Sequence, residues 1–71
     1  MSNECKTCVT TNCALQLTAC VANPECSSCA NTDYQAAACK DNDQYEAICA
    51  CATGSGKACD SVCGAFCVGV N

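Results

Sequence analysis

The sequence predicts a small, all-α, disulfide-rich fold, a compact bundle of about three to five short helices cross-linked by six disulfides. Cysteine accounts for 12 of the 71 residues, whereas a content of roughly 8–10% already marks a disulfide scaffold in a short chain. Cysteines and aliphatic residues also recur at steps of three and four residues, while alternating β-branched residues are scarce. This periodicity is typical of helices.

A chain of this length is expected to form one domain, spanning residues 1–71, and a domain of this size buries little apolar surface. The hydrophobic fraction of 51% includes the 12 cysteines, and alanine makes up much of the rest, so few large side chains are available for a core. Each disulfide stabilises a fold by about 2–4 kcal/mol because it closes a loop of the unfolded chain. We therefore expect every cysteine to form a disulfide: Cys5, Cys8, Cys13, Cys20, Cys26, Cys29, Cys39, Cys49, Cys51, Cys59, Cys63 and Cys67.

The first helix is predicted over residues 4–21, with Asn3 as its N-cap. On a helical wheel, a face about 120° wide carries a stripe of cysteine and aliphatic residues: Cys5, Val9, Cys13, Leu17 and Cys20. Cys8 and Leu15 lie just beside this stripe. We expect the stripe to face the other helices and to be tied to them by disulfides.

Asn23, Pro24 and Glu25 together predict that the first helix ends and that a second one begins. Asn23 suits the N-cap, proline is favoured at the first helical position, and Glu25 lies near the positive end of the helix dipole. The second helix is therefore predicted over residues 24 to about 30.

The middle of the chain contains a weak repeat of ten residues, in which 33–39 aligns with 43–49. Each copy begins with a capping signal. The signals are Thr32 with Gln35 in the first copy, and Asn42 or Asp43 with Glu46 in the second. We predict two short helices here, over about 33–39 and 43–51.

Residues 53–56, Thr-Gly-Ser-Gly, are the one clear flexible loop in the sequence, because glycine pairs of this kind interrupt regular structure. A last helix is predicted after this loop, over about 57–68. A stripe along one of its faces holds three cysteines and two apolar residues: Cys59, Val62, Cys63, Phe66 and Cys67.

Cysteines one turn apart on the same helix point in parallel rather than towards each other. We therefore expect Cys59, Cys63 and Cys67 to bond to three separate partners. Cys49 and Cys51 are likewise expected to bond to different partners. Spacing leaves the complete pairing open, because twelve cysteines permit roughly 10,000 connectivities.

Composition excludes several classes of function. Histidine is absent, which rules out Ser/His and Cys/His nucleophile systems and mixed Cys/His zinc sites. The net charge is −4 with three lysines and no arginine, and this balance disfavours binding to nucleic acid or to an anionic membrane. No apolar run is long enough for membrane insertion. We expect no enzyme activity, no catalytic residues and no cofactor.

Three other uses of these residues are open to consideration. A metallothionein-like or Cu(I) store would hold soft metal ions in thiolates, with the stripe of the last helix as ligand row, but the thiolates would add to an already negative charge. An exchange enzyme would use a C-x-x-C pair such as Cys26 and Cys29, but the other cysteines would scramble with it. Tyr34, Tyr45 and Phe66 are candidates for a recognition patch, although burial in the small core is the simpler expectation.

The first residues lack the charged and apolar regions of a secretory signal peptide, yet disulfides do not persist in the cytosol. We expect that Met1 begins a mature domain whose signal peptide has been removed, and that the protein is secreted. Cysteine density, acidity and the missing catalytic set then favour a protein that acts by binding another protein.

The spacing C-x2-C-x4-C-x6-C-x5-C-x2-C from Cys5 to Cys29, with Asn-Pro-Glu before Cys26, resembles that of short cysteine-rich extracellular proteins of myxobacteria. The acidic, alanine-rich, cysteine-dense composition resembles that of the water-borne pheromones of ciliates such as Euplotes, which are small helical signals for cell-surface receptors. C-x9-C steps at Cys29, Cys39 and Cys49 are also similar to those of coil-helix-coil-helix proteins of the mitochondrial intermembrane space, which have far fewer cysteines. The first two resemblances imply a secreted signal or effector whose partner is a protein receptor or a second copy of the chain.

Overall fold

The computed structural model describes residues 1–32 and 37–68. Within these ranges the chain forms six helices: α1 (Asn3–Asn12), α2 (Ala14–Ala22), α3 (Pro24–Thr32), α4 (Ala37–Lys40), α5 (Asp43–Ala52) and α6 (Asp60–Cys63). Two of them, α4 and α6, are single turns of four residues, and none of the described residues lies in a β-strand. The predicted small all-α class is confirmed.

The helix predicted over 4–21 is instead two helices, because the chain leaves helical geometry at Cys13, where φ is −134° and ψ is 41°. The residues just before this break are weak helix formers. Each donates a side-chain hydrogen bond to the carbonyl four residues back: Thr10 to Lys6, Thr11 to Thr7 and Asn12 to Cys8. Such bonds compete with main-chain hydrogen bonding and bend helices.

The N-cap of α1 also differs from the prediction. Ser2, rather than Asn3, precedes the helix, and its Oγ accepts a hydrogen bond from Cys5 N at 3.1 Å. A serine hydroxyl satisfies an unpaired amide of the first turn as well as an asparagine side chain does. Asn3 is therefore the first helical residue.

Asparagine side chains begin α3 and α5, as predicted. Asn23 Oδ1 accepts a hydrogen bond from Cys26 N at 2.9 Å, and Asn42 Oδ1 accepts one from Tyr45 N at 3.0 Å. The two caps also contact each other, because Asn42 Nδ2 donates to Asn23 Oδ1 at 3.2 Å. The starts of these two helices are thus linked.

The first copy of the ten-residue repeat is described in part. Thr32, predicted to start a helix, is the last residue of α3, while Gln35 and the rest of 33–36 lie outside the described residues. The described part of the helix predicted over 33–39 is α4, which extends to Lys40. The second copy forms α5, which ends one residue beyond the predicted 43–51.

The last helix is shorter than predicted. Of residues 57–68, Asp60–Cys63 are helical and the residues that follow form turns. Gly64 stands where the helix ends, and glycine has a low helix propensity. Phe66, just beyond it, is held against α5 by stacking on Tyr45.

The loop before α6 reverses the chain at two glycines. Gly54 and Gly56 have φ angles of 118° and 81°, which residues with a side chain rarely adopt. Gly54 N donates a hydrogen bond to Asp60 Oδ1 at 2.8 Å, and this bond fastens the loop to the first turn of α6.

The largest core side chains come from α1, α5 and the C-terminal turns, and α2 packs against α5. These core side chains are Val9, Tyr45, Ile48 and Phe66, which are at most 2% exposed. The rings of Tyr45 and Phe66 stack with their centroids 4.4 Å apart, and the Tyr45 hydroxyl donates a hydrogen bond to the Phe66 carbonyl. Ten of the twelve cysteines are buried as well, so disulfides form much of the interior.

Candidate functional site

The structure pairs all the cysteines of the chain. The disulfides are Cys5–Cys63, Cys8–Cys59, Cys13–Cys51, Cys20–Cys26, Cys29–Cys39 and Cys49–Cys67, and no cysteine is free. A chain that depends on this many disulfides belongs in an oxidising environment, because cytosolic reductants would open them.

The cysteines of the C-terminal stripe bond to three separate partners, as predicted from their spacing. The partner of Cys59 is Cys8, that of Cys63 is Cys5, and that of Cys67 is Cys49. Cys49 and Cys51 also have different partners, as expected. Two neighbouring disulfides therefore join α1 to the α6 segment in an antiparallel order.

Neither C-x-x-C pair forms a disulfide within itself. Cys26 bonds to Cys20 and Cys29 bonds to Cys39, and all four residues are buried. The first pair, Cys5 and Cys8, is divided in the same way between two disulfides. The reactive C-x-x-C disulfide that exchange at Cys26 requires is therefore not formed here.

Thiolate metal binding needs free cysteine side chains, and in this oxidised structure all of them are disulfide-bonded. Within residues 1–32 and 37–68, no three Cys, Asp or Glu side chains are grouped so that they would hold a metal ion. The predicted ligand row of Cys59, Cys63 and Cys67 is divided among three disulfides.

Two of the three candidate aromatic residues are not on the surface. Tyr45 is 0% exposed and Phe66 is 2% exposed, because they stack on each other in the core. Tyr34 lies outside the described residues. An aromatic recognition patch that includes Tyr45 and Phe66 is therefore wrong, and burial, the simpler expectation, is confirmed for both.

The most distinctive surface feature is a charge-free stretch that covers the second half of α1 and all of α2. Residues 7–24 contain no Asp, Glu, Lys or Arg, so all ten charged side chains of the chain lie elsewhere. We define the uncharged surface as the nine exposed residues between positions 10 and 22: Thr10, Thr11, Asn12, Ala14, Leu15, Thr18, Ala19, Val21 and Ala22. On α2 these residues cover a continuous arc of about 160°.

Polar side chains of the uncharged surface already have hydrogen-bond partners in their own helix. The donors and acceptors are Thr10 Oγ1 to Lys6 O (2.7 Å), Thr11 Oγ1 to Thr7 O (3.1 Å), Asn12 Nδ2 to Cys8 O (2.9 Å) and Thr18 Oγ1 to Ala14 O (2.9 Å). A buried donor without a partner would cost about 1–3 kcal/mol. Because these donors are paired, water can be removed from the surface at low cost.

Leu15 and Val21 are the most exposed large apolar side chains in the described part of the chain, at 84% and 64%. Depletion of charge together with exposed apolar groups distinguishes the centre of a protein interface from ordinary surface. The expected position of Leu15 just beside the inward stripe is wrong. Leu15 lies five residues before the buried Cys20, which places the two side chains about 140° apart on a helix, so Leu15 points outward. The sequence therefore contained the signal for this surface.

Charged residues border the uncharged surface at both ends of its stretch of chain. Glu4 and Lys6 precede it on α1, and Glu25 follows it in the first turn of α3. The net charge of −4 therefore arises entirely from the rest of the molecule. The nine residues of the uncharged surface themselves carry no ionised group.

None of the helices described here is both long and apolar enough to cross a membrane. Comparison with protein-family models, with curated proteins and with solved structures gives no match to this chain. The disulfide frame and the uncharged surface are therefore the features from which a function can be inferred.

Proposed function

We propose that the protein is a secreted, disulfide-stabilised helical binding protein, an extracellular signal or effector that acts on a protein receptor through its uncharged surface. The observation that carries this proposal is the exposed, charge-free face of α2, centred on Leu15. The disulfide frame supports the extracellular part, since such frames form and persist outside the cytosol. A pheromone-like signal is one form that this function would take.

The arrangement of α2 suits insertion into a groove of a partner. Leu15, Ala19 and Ala22 recur at helical spacing on one side of the helix, which is how amphipathic helices occupy apolar grooves. Leu15 provides an anchor of large apolar area, and the alanines let the walls of the groove approach the backbone. Disulfides at Cys13 and Cys20 hold both ends of this helix, so little order has to be gained on binding.

Charge also selects the partner. The residues outside the uncharged surface carry the net charge of −4, and complementary charge speeds encounter and rejects wrong partners. The matching receptor therefore has an apolar groove with basic residues at its rim. Nucleic acid and anionic lipid would both be repelled by the same acidic residues.

A competition experiment on intact cells of the producing organism tests this proposal. Labelled wild-type protein is bound to the cells and displaced with unlabelled variants. Leu15→Glu is expected to compete at least about tenfold less well, because a carboxylate would be forced into an apolar groove. Ala50→Glu adds the same charge at an exposed position of α5, outside the uncharged surface, and is expected to compete like wild type.

Three outcomes contradict the proposal. Equal competition by Leu15→Glu and wild type would show that the uncharged surface is not the receptor-binding site. Binding that survives protease treatment of the cells would exclude a protein receptor. Sedimentation of the wild type as a dimer and of Leu15→Glu as a monomer would assign the surface to a second copy of the chain.

The alternative function is storage of a soft metal in cysteine thiolates. It requires free cysteines rather than disulfides, so the intact mass of the native protein distinguishes the two functions. The six disulfides correspond to a native mass twelve hydrogens below that of the reduced chain, with no alkylation under non-reducing conditions. A full-mass chain with twelve reactive thiols, or additional mass in native spray, would favour metal storage.

A further inference from the structure

Most disulfides of this protein are out of reach of a reagent in solution, but two are partly exposed. Cys8 of the Cys8–Cys59 bond and Cys51 of the Cys13–Cys51 bond are half-buried. The ten other cysteines are at most 7% exposed. Exchange begins with attack of a thiolate on an accessible sulfur, so these two bonds are the candidates.

Cys8 lies against a groove. An open groove of about 500 Å³ runs along α1 to the start of α6, and Glu4, Cys8, Asn12 and Val62 contribute to its lining. A small molecule in this groove reaches Cys8 directly. The other sulfur of the bond belongs to Cys59, which is 1% exposed.

Asn12 distinguishes the two bonds. Its amide nitrogen, Nδ2, lies 3.5 Å from Cys8 Sγ and 3.9 Å from Cys59 Sγ. Its main-chain oxygen lies 3.7 Å from Cys51 Sγ. An amide N–H stabilises a thiolate that forms beside it, whereas a carbonyl oxygen, the negative end of a dipole, opposes one.

We propose that Cys8–Cys59 is a thiol-exchange site, open to small neutral or positively charged thiols. The thiolate of the small molecule attacks Cys8 Sγ, a new disulfide forms between them, and the Cys8–Cys59 bond breaks. The bonding electron pair leaves with Cys59 Sγ as a thiolate, next to the Asn12 amide. The product is the protein with one mixed disulfide at Cys8 and one thiolate at Cys59, so no net electron is gained or lost.

The fold is built to survive this reaction. Cys5–Cys63 lies one helical turn away and joins the same two segments, α1 and α6. It is buried at both ends, at 1% and 0% exposure. Opening Cys8–Cys59 therefore leaves α1 and α6 covalently tied, and exchange modifies the surface without unfolding the protein.

The charge of the groove sets the class of thiol. Glu4 is the one charged residue among the described residues that line it. An anionic thiol is repelled by this carboxylate, while a cationic thiol is attracted at low ionic strength. Cysteamine, 2-mercaptoethanol and mercaptoacetate provide matched cationic, neutral and anionic probes.

The first experiment identifies the bond that opens. Native protein is treated with limiting cysteamine, quenched in acid, alkylated and mapped by mass spectrometry of its peptides. The first product is expected to carry cysteamine on Cys8 and the alkyl group on Cys59. Earlier opening of Cys13–Cys51 or of any buried disulfide, cysteamine on Cys59 instead, or simultaneous loss of all six would overturn the proposal.

Variants of Asn12 test the role of its amide. Asn12→Asp replaces the donor by a carboxylate of the same shape and is expected to slow opening of Cys8–Cys59 about tenfold or more, because the thiolate loses a donor and gains a repelling charge. Thr10→Ala removes a similar hydrogen bond to the backbone of α1, but away from the sulfurs, and should leave the rate unchanged. Equal slowing by both variants would contradict this role and show that Asn12 affects the rate only through the stability of α1.

A Glu4→Gln variant tests the charge preference separately. The ratio of the cysteamine rate to the mercaptoacetate rate is expected to fall about threefold or more relative to wild type at low salt. Comparing ratios cancels the intrinsic reactivities of the two thiols. An unchanged ratio would contradict the proposal that Glu4 makes the site prefer cationic over anionic thiols.

Discussion

Two regions of the molecule are stabilised in different ways. In the core region, formed by α1, α5 and the C-terminal turns, large apolar side chains and disulfides are buried together. In the arm, formed by residues 20–32 and 37–40, the buried described side chains are cysteines alone: Cys20, Cys26, Cys29 and Cys39. The arm therefore has disulfides in place of an apolar core, whereas the core region has both.

Sequence separation is a poor guide to what each disulfide contributes. Cys5–Cys63 spans 58 residues, whereas Cys29–Cys39 spans 10. With Cys8–Cys59 in place, however, Cys5–Cys63 closes an effective loop of only about eight residues. By the loop-entropy estimate, Cys5–Cys63 and Cys29–Cys39 therefore each stabilise the fold by about 2.5 kcal/mol. The regions differ in what remains after a bond is lost. Cys5–Cys63 and Cys8–Cys59 join the same two segments, whereas Cys20–Cys26 joins α2 to α3 and Cys29–Cys39 joins α3 to α4, so neither arm disulfide replaces the other.

The largest effect is expected from Phe66→Ala in the core region. Removing a buried phenylalanine costs about 3–5 kcal/mol, and here it also removes the ring stacked on Tyr45. Chemical denaturation monitored by tyrosine fluorescence measures this loss. Val68→Ala, at a 60% exposed position nearby, is the control and should change stability by less than about 0.5 kcal/mol. If Phe66→Ala lowered the free energy of unfolding as little as Val68→Ala does, disulfides rather than apolar packing would stabilise the core region.

The second prediction compares one disulfide from each region. Cys29→Ala with Cys39→Ala is expected to release the arm locally, so that the amides of α3 exchange close to the rate of an unfolded chain while those of α5 stay protected. Cys5→Ala with Cys63→Ala should lower global stability by about 2.5 kcal/mol without releasing any one helix. Hydrogen exchange measures both. Retained protection of α3 in the first variant would contradict the prediction and show that α3 does not depend on Cys29–Cys39.

The smallest effect concerns the contact between the two caps. Asn23→Ala and Asn42→Ala are each expected to cost about 1 kcal/mol, the usual value of a helix N-cap. Because Asn42 Nδ2 donates to Asn23 Oδ1, the double variant should lose about 0.5 kcal/mol less than the sum. A double-mutant cycle measures this coupling. Strict additivity would show that the arm and the core region are independent at this point.

Local signals in the sequence predicted much of the fold. Asn23 and Asn42 marked helix starts correctly, because capping depends on a few neighbouring residues. The parallel direction of Cys59, Cys63 and Cys67 predicted three separate partners. The partners themselves were not predictable, since they depend on which helices meet in space.

The break at Cys13 and the uncharged surface were missed for different reasons. The break follows from side-chain hydrogen bonds of Thr10, Thr11 and Asn12, which end α1 early and which residue periodicity does not reveal. The absence of charge from residues 7–24 is visible in the sequence. The outward direction of Leu15, which is 84% exposed, was also available from the sequence, because Leu15 lies about 140° from Cys20 on a helical wheel.

The disulfide connectivity has a consequence for survival among extracellular proteases. A trypsin-like protease has three cleavage sites, Lys6, Lys40 and Lys57, which divide the backbone into 1–6, 7–40, 41–57 and 58–71. The peptide 58–71 is disulfide-bonded to each of the other three, through Cys5–Cys63, Cys8–Cys59 and Cys49–Cys67. Complete cleavage therefore releases nothing, and the nicked protein remains one covalent molecule that is heavier by three waters.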